Sequence, residues 1–167
     1  MGAAGDVDLI STYWANPAGS ASIDLDGYHP GSISQTMTGL NVGQSYVVRF
    51  LLSGNPVDGD PNKSLNVIIG GDPGQTTPFT FNTATAQNNQ VNMGWLSKSV
   101  TFTATSTSEL LTFASTDTNP DSKWGPAIAD VSIATPEPAT WAMMLMGFGG
   151  LGVVLRMNRR KTVALAA

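Results

Sequence analysis

The sequence predicts an all-β protein: an antiparallel jelly-roll β-sandwich followed by a C-terminal hydrophobic helix. Three observations carry that expectation. From residue 7 to residue 133, short apolar alternations are broken by Gly, Pro, Asn and Asp; no stretch there repeats its apolar residues at helical spacing; and an uncharged apolar segment at 139–155 stands apart near the end. Strands without helices to cover a parallel sheet pair antiparallel and stack face to face. The expected division is a sandwich over 1–134, a tail over 135–161 with its helix at 139–155, and a short extension over 162–167.

Taken in order, residues 21–25 and 32–37 are candidate strands separated by the turn chemistry of Asp26-Gly27-Tyr28-His29-Pro30-Gly31. The clearest strand spans 45–52. There Tyr46, Val48, Phe50 and Leu52 share one face and are assigned to the core, while Val47, Arg49 and Leu51 share the other. Residues 65–69 and 79–81 follow, then 96–104 with Val100, Phe102 and Ala104 inward, then 109–114 and 127–133. Regular spacing of about eight such strands is the mark of a sandwich. The longest irregular stretch, 83–94, is rich in Asn and Gln, and a loop of that length is either a binding loop or an ordered surface loop.

Charged residues make up 12% of the 167-residue chain, against about a quarter in ordinary soluble domains, and Ser, Thr, Asn, Gln and Gly take their place. Such a surface suits an exported β-protein. Cysteine is absent, which excludes a disulfide framework, a thiolate zinc site and a cysteine nucleophile. All twelve acidic residues lie at or before Glu137, whereas Arg156, Arg159, Arg160 and Lys161 are half of the eight basic ones. An acidic body repels phosphate backbones, so no nucleic-acid partner is expected. The opening Met1-Gly2-Ala3-Ala4-Gly5-Asp6 has neither the basic nor the apolar stretch of an export signal. Because the tail implies export, the natural product is expected to begin further upstream.

His29 is the only histidine and sits in a Pro-Gly turn, so a Ser-His-Asp arrangement has a single base to draw on, and spacing places no pair of aspartates for glycoside hydrolysis. A non-enzymatic protein is expected. Gly147-Phe148-Gly149-Gly150-Leu151-Gly152 satisfies the G-x-G-x-x-G pattern, but no strand precedes it and the chain ends before an acidic partner. Glycines in an apolar segment instead permit close helix packing in lipid.

Three acidic groups invite a calcium reading: Asp24 with Asp26, Asp58 with Asp60 and Asn62, and Asp117 with Asn119 and Asp121. None completes an EF-hand loop. Lys63 and Ser122 stand where the turn glycine belongs, and Ile69 where the bidentate Glu belongs. Asp and Asn are also what ordinary turns select. Asp24 and Asp26, flanking Leu25 at a strand end, are the better candidates for a structural calcium. Tyr28, Trp95 and Trp124 lie in or beside loops, where flat rings can stack on sugars next to Asn89, Gln90 and Asn92. Trp95 and Trp124 also suit closing the ends of the core, and that reading of them is slightly favoured.

As a helix, residues 139–155 would be about 26 Å long, close to the roughly 30 Å of hydrocarbon in a bilayer. Trp141 suits the outer interface, and the basic cluster of Arg156, Arg159, Arg160 and Lys161 suits the cytoplasmic side. Pro136-Glu137-Pro138, the apolar run that starts Trp141-Ala142-Met143-Met144, and Arg159-Arg160-Lys161 closely resemble the PEP-CTERM sorting signal of Gram-negative bacteria that make extracellular polysaccharide. That resemblance implies an exosortase partner, a membrane protease-transferase that recognises the signal and removes the helix. The extension at 162–167 departs from the common pattern.

The body resembles the choice-of-anchor C family through Ser22-Ile23-Asp24-Leu25-Asp26-Gly27, Gly31-Ser32-Ile33-Ser34-Gln35, Asn92-Met93-Gly94-Trp95 and Gly125-Pro126-Ala127-Ile128-Ala129-Asp130-Val131. Ala129-Asp130 stands where that family has Asp-Asn, and the family's opening strand is missing before Val7. Such sandwiches are similar to galactose-binding-like and carbohydrate-binding modules, which implies sugar binding by analogy of fold. The expected function is that of an exported, non-enzymatic protein. It passes through the membrane during sorting to the cell envelope or exopolysaccharide matrix, where it binds polysaccharide or serves as a structural component. The competing expectations are a glycan-acting hydrolase of the matrix and a permanently anchored single-pass membrane protein.

Overall fold

A computed structural model describes residues 5–17, 21–70, 74–118 and 123–135. Among them are nine strands and one short helix: β1 (Asp8–Ile10), β2 (Ser22–Asp24), β3 (Ser32–Thr38), β4 (Ser45–Gly54), β5 (Asn62–Ile69), β6 (Gln75–Asn82), α1 (Thr83–Ala86), β7 (Leu96–Thr103), β8 (Ser108–Ser115) and β9 (Pro126–Ala134). The chain divides into one unit over Met1–Ala134 and another over Thr135–Ala167. The expected helix at 139–155, the sorting residues Pro136, Glu137 and Pro138 and the basic cluster lie outside the described residues. Among the described residues no helix is long and apolar enough to cross a membrane.

Every strand pairing is antiparallel, and two sheets result: a five-stranded one in the order β1-β2-β9-β4-β7 and a four-stranded one in the order β3-β8-β5-β6. Successive side chains on a strand point to opposite faces, so each sheet turns one alternate set inward. From β4 these are Tyr46, Val48, Phe50 and Leu52; from β5, Leu65, Val67 and Ile69; all are buried between the sheets. Phe50 stands edge-on to both Phe79 and Phe113, with ring centroids 5.2 and 5.0 Å away, tying β4 to the facing sheet.

The all-β sandwich is as expected, and the differences have physical reasons. β1 escapes notice because it has three residues and leaves Leu9 exposed. β6 runs over eight residues rather than three; as an edge strand it accommodates Pro78, which removes a donor from the ladder. The 83–94 stretch holds one helical turn, α1, capped by Asn82, whose side chain accepts from the Thr85 amide at 2.7 Å.

β9 carries a bulge. Its register with β4 passes from Ser132 opposite Arg49 to Ala129 opposite Leu51, and the extra residue, Asp130, has a φ of 50°. Aspartate is among the few non-glycine residues that enter this left-handed region readily. Ile128 before the bulge belongs to the core, and Val131 after it lines a 360 Å³ cleft with Ile23, Ile33 and Phe113.

A second, smaller cluster forms on the outer face of the five-stranded sheet. Ser53 and Ala127 alternate with the inward Leu52 and Ile128, so they face away from the main core, and Trp14, Met93 and Trp95 cover them. The Trp14 indole donates to Ser22 Oγ at 2.8 Å, and Ser53 Oγ donates to the Met93 carbonyl at 2.6 Å.

Candidate functional site

Three loops meet at one end of the sandwich: 25–31 after β2, 55–61 after β4 and, before β9, residues 116–118 and 123–125. The pairings of Asp24 with Ala127, Gly54 with Pro126 and Ser32 with Ala114 bring them there. Between them opens a pocket of about 250 Å³ whose lining includes Asp26, Asp60, Asn62, Lys63, Ser64 and Asp117.

Its floor is built by buried charge. Asp24 and Asp26 are 2% and 0% exposed, and Lys63, on the inward face of β5, is 4% exposed. Asp24 Oδ1 accepts from the backbone amides of Asp26 at 3.0 Å and Gly125 at 3.1 Å, while Oδ2 accepts from the Asn55 amide at 2.8 Å. One carboxylate thus ties together all three loops. Burial pushes the Asp24 carboxyl up to about 6 and Asp26 adds to the rise, against the pull of the Asn55, Asp26 and Gly125 donors.

The Lys63 ammonium donates to the Asp58 carbonyl at 2.9 Å. Burial lowers its pKa, and the carboxylates of Asp117, Asp24, Asp26 and Asp60 resist that fall. Among the described residues a single internal cation therefore faces a set of acidic side chains drawn from three loops. Its stem packs so closely that a Cβ on Gly54 would lie 2.5 Å from Lys63 Cγ.

The aromatic candidates separate. Tyr28 is 64% exposed beside the pocket and has Lys123 Nζ 5.0 Å from its ring centroid. Its loop is held by Asp6 Oδ1, which accepts from the Tyr28 and His29 amides at 2.8 and 2.7 Å. Trp124 is half-buried and lies over Gly59, where an added Cβ would meet its ring at 3.5 Å. Trp95 packs with Trp14 and Met93 and donates its indole N–H to the Ala15 carbonyl at 3.1 Å. The structure thus places Trp95 in the smaller core and leaves Tyr28 and Trp124 on the neighbouring loops, outside the lining of the pocket.

The acidic groups weighed as calcium loops also separate. Asp58 Oδ1 accepts from the Gly59 amide at 2.7 Å and Asp60 Oδ1 from the Asn62 amide at 2.8 Å, as turn-forming side chains do. Asn119 and Asp121 lie outside the described residues. Among the described residues no three His, Cys, Asp or Glu side chains group as metal ligands do. His29 is half-buried, its Nδ1 3.7 Å from Asp6 Oδ1.

Sequence reasoning missed Lys63 and Ser64 as pocket residues and Asn55 as the partner of Asp24. A signal for Lys63 existed, since it continues the inward series Leu65, Val67 and Ile69 backwards by two positions. A lysine on a core-facing position must find acidic partners or lose its charge.

Among solved structures, the chain is similar to a family 35 carbohydrate-binding module from Clostridium thermocellum, with 14% identity and a TM-score of 0.54 over 78% of this chain and 88% of that one. It is also similar to TmCBM61, solved in complex with beta-1,4-galactotriose, with 12% identity and a TM-score of 0.52 over 80% of this chain and 86% of that one. These likenesses are likenesses of fold. Over 136 residues the chain is 36% identical to Halomucin of Haloquadratum walsbyi, a match that takes in 77% of this chain and 1% of that protein. Residues 134–161 match the PEP-CTERM protein-sorting motif. Residues 3–134 match the family described as Protein of unknown function (DUF642), and the chain belongs to that family.

Proposed function

We propose that the chain is an exported, non-enzymatic polysaccharide-binding protein, sorted by an exosortase-type system to the cell envelope or exopolysaccharide matrix. The observation that carries the reading is the PEP-CTERM motif at 134–161 joined to a β-sandwich of the carbohydrate-binding-module type. The motif supports export, with exosortase as the partner and the membrane as a transient station. The loop-end pocket supports sugar recognition: carboxylates, amides and hydroxyls line it, and Tyr28 and Trp124 stand beside it. A structural calcium at Asp24 and Asp26 remains part of the proposal as a support for the same loops, not as a reactant.

Two measurements test it. Mass spectrometry of the protein's C-terminus, from cells with and without the exosortase, is expected to show residues 139–155 removed only when the enzyme is present; their retention in both would refute the sorting reading. On a glycan array the protein is expected to bind polysaccharide without turnover, and hydrolysis of the bound glycan would replace the binding role with an enzymatic one.

A further inference from the structure

The strands of the four-stranded sheet, β3, β5, β6 and β8, contain only two charged residues, Lys63 and Glu109, and both are buried, at 4% and 7% exposure. The outer face of this sheet therefore carries no charge. On β5, Asn62, Ser64, Asn66 and Ile68 alternate with the buried Lys63, Leu65, Val67 and Ile69; on β8, Leu110, Thr112 and Ala114 alternate with buried Glu109, Leu111 and Phe113. The other sheet differs, with exposed Arg49 on the outward set of β4.

Three pairs of polar groups on this face are joined across strands before any ligand arrives. Ser34 and Thr112 hydroxyls lie 2.7 Å apart, Ser64 and Thr80 hydroxyls 2.8 Å, and Asn82 donates to Asn62 at 2.8 Å. Pairing holds their rotamers, so less side-chain entropy remains to be lost on binding. Each hydroxyl still has a lone pair or a proton to offer. The face is four strands wide, about 14 Å between its outermost strands. It runs into the loop-end pocket without a break, because Asn62 and Ser64 line both.

We infer that a neutral polysaccharide chain lies across this face and enters the pocket at Asn62 and Ser64. The inference rests on the polysaccharide-binding reading above and adds the place and the class of glycan. Charge complementarity selects that class. Burying a charged side chain against a neutral hydroxyl surface strips its hydration without return, and this face has no such side chain to strip. An anionic glycan would meet the Asp60 and Asp117 carboxylates at the pocket, while the nearest internal cation, Lys63, is buried beneath them.

The test is affinity electrophoresis of the full chain in mild detergent, through gels containing hydroxyethyl cellulose, laminarin or galactan as neutral polymers and alginate as the anionic one. Mobilities are referred to a polymer-free gel. At least one neutral polymer is expected to retard the protein and alginate is not. Asn66→Lys and Thr112→Lys are expected to weaken that retardation at least tenfold, and Ser99→Lys, on the outward set of the other sheet, to leave it unchanged. If a neutral polymer retards the protein and both face variants bind as well as the unsubstituted chain, the face is overturned while the binding reading stands. Retardation by alginate equal to that by the neutral polymers overturns the assignment of glycan class. If no polymer retards the unsubstituted chain, the polysaccharide-binding reading falls and this inference with it.

Discussion

Gly125 packs its Cα against the carboxylate of Asp26: a Cβ placed there would stand 2.6 Å from Asp26 Cγ and 2.7 Å from Asp24 Oδ1. The same residue's amide is one of the donors to Asp24. The approach that makes the hydrogen bond thus also excludes any side chain. Gly125→Ala is expected to destabilise the fold by about 1–3 kcal/mol, the usual cost of overpacking a filled interior. Urea denaturation of the two proteins measures it.

Asp24 makes stability depend on pH. Its folded-state pKa of about 6 lies above the ordinary 3.8, so the folded protein holds this proton more tightly than the unfolded chain does. The ionised carboxylate therefore weakens the fold above pH 6. The penalty lifts as pH falls through 6 and is gone below about 4, amounting to about 3 kcal/mol at most. Thermal melts of Asp24→Asn should lack this component, so the difference in Tm between the two proteins should change between pH 7.5 and pH 4.5.

Lys63 is the cation that the buried carboxylates face. Lys63→Met keeps the volume of the stem and removes the charge, leaving Asp24 and Asp26 with like charges and no ammonium. Losing the ammonium's hydrogen bond to the Asp58 carbonyl together with its attraction for these carboxylates is expected to cost about 1.5–3 kcal/mol. The loss is expected to shrink at pH 4.5, where Asp24 is protonated, and melting curves at the two pH values check both parts.

Trp95 and Trp124 should respond in opposite ways. Trp95→Ala opens the cluster around Trp14 and Met93 and is expected to lower stability by about 2 kcal/mol, less than for a fully buried tryptophan, with glycan affinity unchanged. Trp124→Ala and Tyr28→Ala, on the loops that carry the pocket residues Gly125 and Asp26, are expected to reduce glycan affinity with a smaller loss of stability. Isothermal titration with the best neutral oligosaccharide, alongside denaturation, separates the two effects.

The sandwich is legible in the sequence wherever a strand has one wet and one dry face. β4 and β7 announce themselves because Val48, Phe50, Val100 and Phe102 recur at every second position. β1 and the first half of β6 do not, since edge strands bury little and can be built from Leu9, Thr76 and Pro78 without an alternating signal. The pocket is legible only in fragments. Asp24 and Asp26 stand out as a pair, but their link to Asn55, Lys63 and Gly125 spans distant stretches of chain and exists only once β2, β4 and β9 lie side by side. Tyr28, Trp95 and Trp124 look alike as loop aromatics; that Trp95 is covered is decided by Trp14 and Met93, which meet it only in the fold.

The residue inserted at Asp130 sets the phase of everything after it in β9. Ile128 faces inward; if the strand ran on regularly through Asp130, the next positions on that side would be Asp130 and Ser132, and with the bulge they are Val131 and Ile133, the latter opposite Val48. Straightening the strand with Asp130 still in place would turn its end over, putting a carboxylate and a hydroxyl where Val131 and Ile133 now stand, whereas removing Asp130 leaves Ile128, Val131 and Ile133 at every second position. Position 130 should therefore tolerate exchange for Asn or Gly, or its own deletion, and reject a β-branched residue such as Val, and residues past it in related chains should be compared only after this offset is counted.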